Sequence, residues 1–118
     1  MTTDTKIRTI TLTGRPPVRI SEAAWPQIAK GEWCDDPAIP IQANSGCDIR
    51  VRQHADGRAI VHGRRWSRWE GARPWCGGEL LPAGADIAAS IERVGRAGDM
   101  NESVARDCIA DLPAEVLE

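Results

Sequence analysis

The chain has 118 residues, 42% apolar and 27% charged, with a formal net charge of −2, which describes one globular domain (1–118) able to bury a core without staples. No segment approaches the run of about twenty apolar residues that a membrane helix needs. The opening MTTDTKIRT lacks the apolar region of a secretory signal, so a cytoplasmic protein with reduced thiols and no membrane partner is expected. Four cysteines then do not imply two disulfides.

Residues 6–13 (KIRTITLT) alternate apolar and polar, which predicts a strand. Gly14-Arg15-Pro16-Pro17 breaks it, and Val18-Arg19-Ile20 is a short extended piece. Ser21 reads as an N-cap with Glu22 in the first turn, predicting an N-terminal helix to about Lys30 that ends at Gly31. Pro26 conflicts with it and predicts a kink or a later start. The stretch from Gly31 to Pro40 reads as a loop, Ile39–Ala43 as a short strand, and Asn44-Ser45-Gly46 as a turn.

A hairpin follows, turning at Asp56-Gly57. A two-residue loop would set Val51 opposite His62. A three-residue loop, Ala55-Asp56-Gly57 with a left-handed Gly57, sets Val51 opposite Val61 and gathers Ile49 and Ala59 on the same face. The second register separates apolar from polar better and is preferred. It places Arg50, Arg52, His54, Arg58, Ile60, His62 and Arg64 on the other face, with Arg52 pointing to solvent.

Gly77-Gly78 reads as a flexible turn, and Glu79-Leu80-Leu81 as an edge strand or helix approach. A helix from about Ala85 to Ala97 carries Ile87, Ile91 and Val94 on one stripe, with Gly98 ending it. A second runs from about Asn101 to Asp111 with Val104 and Cys108 inward. The expected fold is α+β: an antiparallel sheet of about four strands with one N-terminal and two C-terminal helices packed on one side.

Charge is unevenly spread. Residues 1–73 carry 12 basic and 8 acidic side chains, and residues 74–118 carry 3 and 9. Between Ile49 and Arg73 seven arginines meet two acids, which suggests a surface for an anionic partner. The candidate binding residues are Arg50, Arg52, Arg58, His62, Arg64, Arg65, Trp66, Arg68, Trp69 and Arg73. Arginine interleaved with Trp66, Trp69 and Trp75 suits single-stranded nucleic acid, but it suits a protein interface better. It also fits a solvated arginine face with structural tryptophans. The sequence pI near 5.7 disfavours strong non-specific DNA binding.

No cofactor or metal is read. The cysteines at 34, 47, 76 and 108 form no close pair of the kind that structural zinc sites use. His54 and His62 alone do not close a site. No G-x-S-x-G, H-E-x-x-H or phosphate-binding glycine loop occurs. Asp35-Asp36 beside Cys34 would raise a thiol pKa rather than activate it, so no catalytic residue is named and a non-enzymatic protein is expected.

The phrases RTITLTGRPPVRI, EAAWPQIA, VRQHADGRAIV, GGELLPAG and CIADLPAEVL together resemble a family of small uncharacterised bacterial proteins of conjugative plasmids and integrative elements. The resemblance implies a bacterial accessory protein of a mobile element and transfers no activity or site residue. The expected function is binding of a host or element-encoded protein through the basic hairpin face and Trp-rich loop, one version being an anti-defence inhibitor. The alternatives are a single-stranded nucleic-acid-binding module and a structural or regulatory homodimer.

Overall fold

The structure, a computed structural model, describes residues 6–114. β1 (Ile7–Ile10) and β2 (Val18–Ser21) form a two-stranded antiparallel sheet, with Ile10 opposite Val18. β3 (Gln27–Cys34), β4 (Ser45–Gln53), β5 (Ala59–Ser67) and β6 (Trp75–Leu81) form a four-stranded antiparallel sheet in that spatial order. Two helices, α1 (Ile87–Ala97) and α2 (Glu102–Ala110), complete the fold. No helix among the described residues is long and apolar enough to cross a membrane.

The α+β class and four-strand antiparallel sheet agree with expectation. The N-terminal helix does not form. Where it was expected, β2 ends at Ser21, a turn follows in which Trp25 N–H donates to the Ser21 carbonyl at 3.1 Å, and β3 begins at Gln27. Pro26 is the reason. It steers Trp25 away from helical angles and lacks the N–H that a helix interior requires. Its carbonyl instead accepts from Gln53 N–H at 3.1 Å, which starts the pairing of β3 with β4. Gly31 is not a helix terminator. It lies in β3 opposite Ile49, where a Cβ would stand 2.7 Å from Cys108 N of α2. Glycine there lets strand and helix backbones meet.

Two other expectations are corrected. Ile39–Ala43 is not a strand: Pro40–Gln42 form a 3-10 turn, started by the fixed φ of Pro40. Gly77 and Gly78 are not a turn but lie inside β6 opposite Gly63 and His62. A Cβ at Gly78 would stand 2.9 Å from His62 Cα, so this strand pair also needs its glycine.

The preferred hairpin register is the one observed. Val51 faces Val61 and Gln53 faces Ala59, leaving Ala55-Asp56-Gly57 as the loop with Gly57 at φ +95°. Both helices start on side-chain caps: Asp86 accepts from Ala89 N–H, and Asn101 from Ser103 N–H. They bury Ile91, Val94, Val104 and Cys108 against Ile49, Val51, Ala59 and Val61. Each fully buried Val or Ile contributes about 1.5–3 kcal/mol. Helices cover only one face of the sheet. The β1–β2 hairpin closes part of the other, where Ile10, Leu12, Ile20 and Trp25 pack on Ile60, with Leu80 alongside.

Candidate functional site

Alternation along β4 and β5 puts Asp48, Arg50, Arg52, Ile60, His62, Arg64 and Trp66 on the face away from the helices. The predicted cationic strip is therefore real as a set of positions. The tertiary structure divides it into three parts.

Near the β4–β5 turn the charges are built into the fold. Arg52 was expected in solvent. It is instead 6% exposed, and its Nη1 donates to the Trp25 carbonyl at 3.1 Å while its Nε finds no partner among the described residues. Burial, with Arg8 and Arg50 nearby, lowers its pKa. It is buried beside the cluster in which Ile10, Leu12, Ile20 and Trp25 pack on Ile60 of the neighbouring strand. Arg58 donates from Nε to Asp56 Oδ2 at 2.8 Å and lies over the Trp25 ring, 5.1 Å from its centroid. The hydrogen bond from Arg58 N–H, then that from its side chain, outweighs slight burial and lowers the Asp56 pKa.

The middle of the face is a cleft of about 270 Å³ between β1 and the sheet, lined by Arg8, Thr9, Arg50, His62, Arg64 and Cys76, among others. Asp48 forms its buried acidic centre. Arg64 Nε donates to Asp48 Oδ2 at 2.7 Å, and Arg50 Nε stands 3.5 Å from Oδ1. The bond to Asp48 raises the Arg64 pKa. His62 is mostly buried. Burial first, then the charges of Arg52, Arg50 and Arg8, opposed by Asp48, push its pKa down to about 4, so the ring is neutral at pH 7.

The far end carries the tryptophans. Trp66 lies against Gly46, where a Cβ would come within 2.7 Å of the indole ring. A groove of about 320 Å³ is lined by Trp33, Pro37, Pro40 and Trp66, with Glu32 and Arg64 at hand. The loops 35–44 and 68–74 emerge beside each other, joined where Arg68 N–H donates to the Asn44 carbonyl at 2.6 Å. Arg68, Trp69 and Arg73 are exposed.

Arg65 is the outlier of the predicted set. It points to the helix face and donates from Nη1 to the Gly98 carbonyl at the end of α1. Trp75, on the same face, is half-buried against the helix-side core. The ten predicted residues therefore do not form one site. Arg50, His62 and Arg64 meet in the cleft, Trp66, Arg68, Trp69 and Arg73 gather at the loop end, and Arg52, Arg58 and Arg65 are held by structural bonds.

Sequence reasoning missed Arg8, Asp48, Trp33, Ile39 and Ile41. Arg8 was readable in principle, because in RTITL it shares the face of Ile10 and Leu12 and must approach whatever those two cover. Asp48 likewise alternates in phase with Arg50. No pattern marked Ile39 or Ile41 as exposed, since Pro40 between them looks the same in a buried turn. Among the described residues no group of three or more His, Cys, Asp or Glu is placed to hold a metal ion. Comparison of the chain with protein-family models, curated proteins and solved structures gives no match.

Proposed function

We propose that this protein is a non-enzymatic binding protein that docks a partner protein at the loop end of its sheet. One observation carries the reading. Of the five large apolar side chains exposed among the described residues, four stand at this end: Trp33 at 40%, Ile39 at 46%, Ile41 at 82% and Trp69 at 62%. Scattered exposed apolar residues are ordinary on a protein surface, but a local concentration marks an interaction site. Arg68 and Arg73 flank it and make no ion pair among the described residues. Trp and Arg together are the usual anchors of protein interfaces. The groove between α1 and α2 is wider, at about 620 Å³, but no large exposed apolar side chain lines it.

A protein partner is favoured over single-stranded nucleic acid because Arg52, Arg58 and Arg65 are bonded in place, which leaves few cations to follow a phosphate chain. Following the resemblance to mobile-element proteins, the partner belongs to the host cell or to the element, with an inhibitor of host defence as one version.

The test is partner capture by cross-linking, followed by binding measurements with the purified partner. Trp69→Ala and Ile41→Ser are each expected to weaken binding by about 2 kcal/mol if they are hot spots, with Arg96→Glu on α1 as the unaffected control. Undiminished binding by both variants would overturn the reading. So would tight oligonucleotide binding that falls steeply with salt. A mass measurement of the purified chain separates a self-associating protein from a monomer that needs a different partner.

A further inference from the structure

The cleft between β1 and the sheet is separate from the loop end and is lined in a different way. Arginines reach it from three strands: Arg8 from β1, Arg50 from β4 and Arg64 from β5. Arg52 stands on the same face of β4, two residues beyond Arg50. Three acids among the described residues lie near these four arginines, and one of them, Glu32, is paired with Lys30. Asp48 is engaged by Arg64 and Arg50, and Glu22 accepts from Arg8 Nε at 2.7 Å. The side-chain nitrogens that are buried without a hydrogen-bond partner among the described residues are His62 Nε2 and Arg52 Nε, neighbours on this one face. Two unpartnered polar atoms beside an excess of guanidinium charge leave the region with unmet hydrogen-bonding capacity, a state that buried polar groups rarely keep.

We propose that this cleft binds a small oxyanion, a phosphoryl or carboxylate group, held by Arg8, Arg50 and Arg64 over the His62 ring. Guanidinium forks match both oxyanions in geometry and charge. The outer arginines stay accessible: the side chains of Arg8 and Arg64 are 44% and 56% exposed. The groups facing His62 are Arg8, Asp48, Arg50 and Arg52, with Arg64 and Cys76 of β5 and β6 lining the same cleft. Their positive excess, together with burial, keeps the ring neutral. A bound anion opposes that field, so binding takes up a proton at His62 and strengthens as pH falls.

The test is an NMR titration of the full chain at low ionic strength with three probes: inorganic phosphate, sulfate and acetate. A saturable shift of the His62 ring signals, with its pKa raised by about one unit or more, is expected. Arg50→Gln and the more exposed Arg8→Gln should each weaken binding about tenfold or more, and Arg68→Gln should not. Thermal melts of each variant confirm that it is folded. Response to phosphate and sulfate alone assigns a phosphoryl ligand, and response to acetate alone assigns a carboxylate. No saturable His62 shift up to about 10 mM of any probe would overturn the proposal. So would equal weakening by Arg68→Gln, which would mean diffuse charge. Either failure leaves docking at the loop end untouched, because that reading rests on Trp69 and Ile41.

Discussion

Arg58 and Arg68 lie ten residues apart in the same arginine-rich stretch, and one sheet separates their surroundings. Arg58 sits at the turn end, bonded to Asp56 and stacked on Trp25, next to a core that the β1–β2 hairpin closes. Arg68 sits at the loop end beside Trp69, where it is exposed. Tryptophan follows the same division: Trp25 is 8% exposed and Trp69 62%. An arginine or tryptophan that its neighbours bond or cover contributes to folding. One left uncovered adds little to stability and is available to a partner. Composition cannot tell these two cases apart, because it counts residue types without their neighbours.

Paired substitutions break the comparison most directly. Trp25→Ala should lower stability by about 3–5 kcal/mol, because it opens the hairpin-side core and removes the ring that Arg58 lies over. Chemical denaturation measures this. Trp69→Ala in the same assay should move stability by no more than about 0.5 kcal/mol. If both lost several kcal/mol, the loop end would be core.

The next effect is set by pH. His62 has its pKa lowered from 6.5 to about 4 in the folded protein. The unfolded chain therefore binds the extra proton between those values, and stability rises with pH across that window. The contribution is fully present above about pH 6.5 and is lost as pH falls towards 4, amounting to about 3 kcal/mol. Wild type should lose this much more than His62→Gln between pH 7 and pH 4 in denaturant melts. Parallel pH profiles would show that the ring is solvated.

Asp48→Asn should cost less, about 1–2 kcal/mol, since it weakens a charge-assisted bond to an arginine that is itself partly exposed. The smallest effect belongs to the turn. Arg58→Ala removes an exposed ion pair and a cation–π contact and should cost about 0.5–1 kcal/mol. A larger loss there would show that the arginine cover is part of the hairpin-side core.

The parts of the fold that were legible depend on contacts near in sequence. Asp56-Gly57 and the apolar alternation of Ile49, Val51, Ala59 and Val61 specify the β4–β5 register, because a one-residue slip would turn each of those side chains to the wrong face. Gly98 ends α1 where it was expected to, and Asn101 marks the start of α2. Pro26 argues against an N-terminal helix, while Ser21, Glu22 and Gly31 imitate its start and stop signals. Gly31 looked like a terminator because its actual neighbour, Cys108 of α2, is far away along the chain.

By itself the sequence determined the class, the central hairpin, the two C-terminal helices and the concentration of arginine and tryptophan in its middle. Tertiary structure decided which of those arginines remain free. Strand alternation assigns a residue to one of two faces, yet it says nothing of what lies above that face. The β1–β2 hairpin returning over Ile60 buries Arg52, while across the cleft beside β1 Arg64 stays half-exposed. That placement follows from packing between segments about forty residues apart, and no local pattern encodes the distance at which the cover stops.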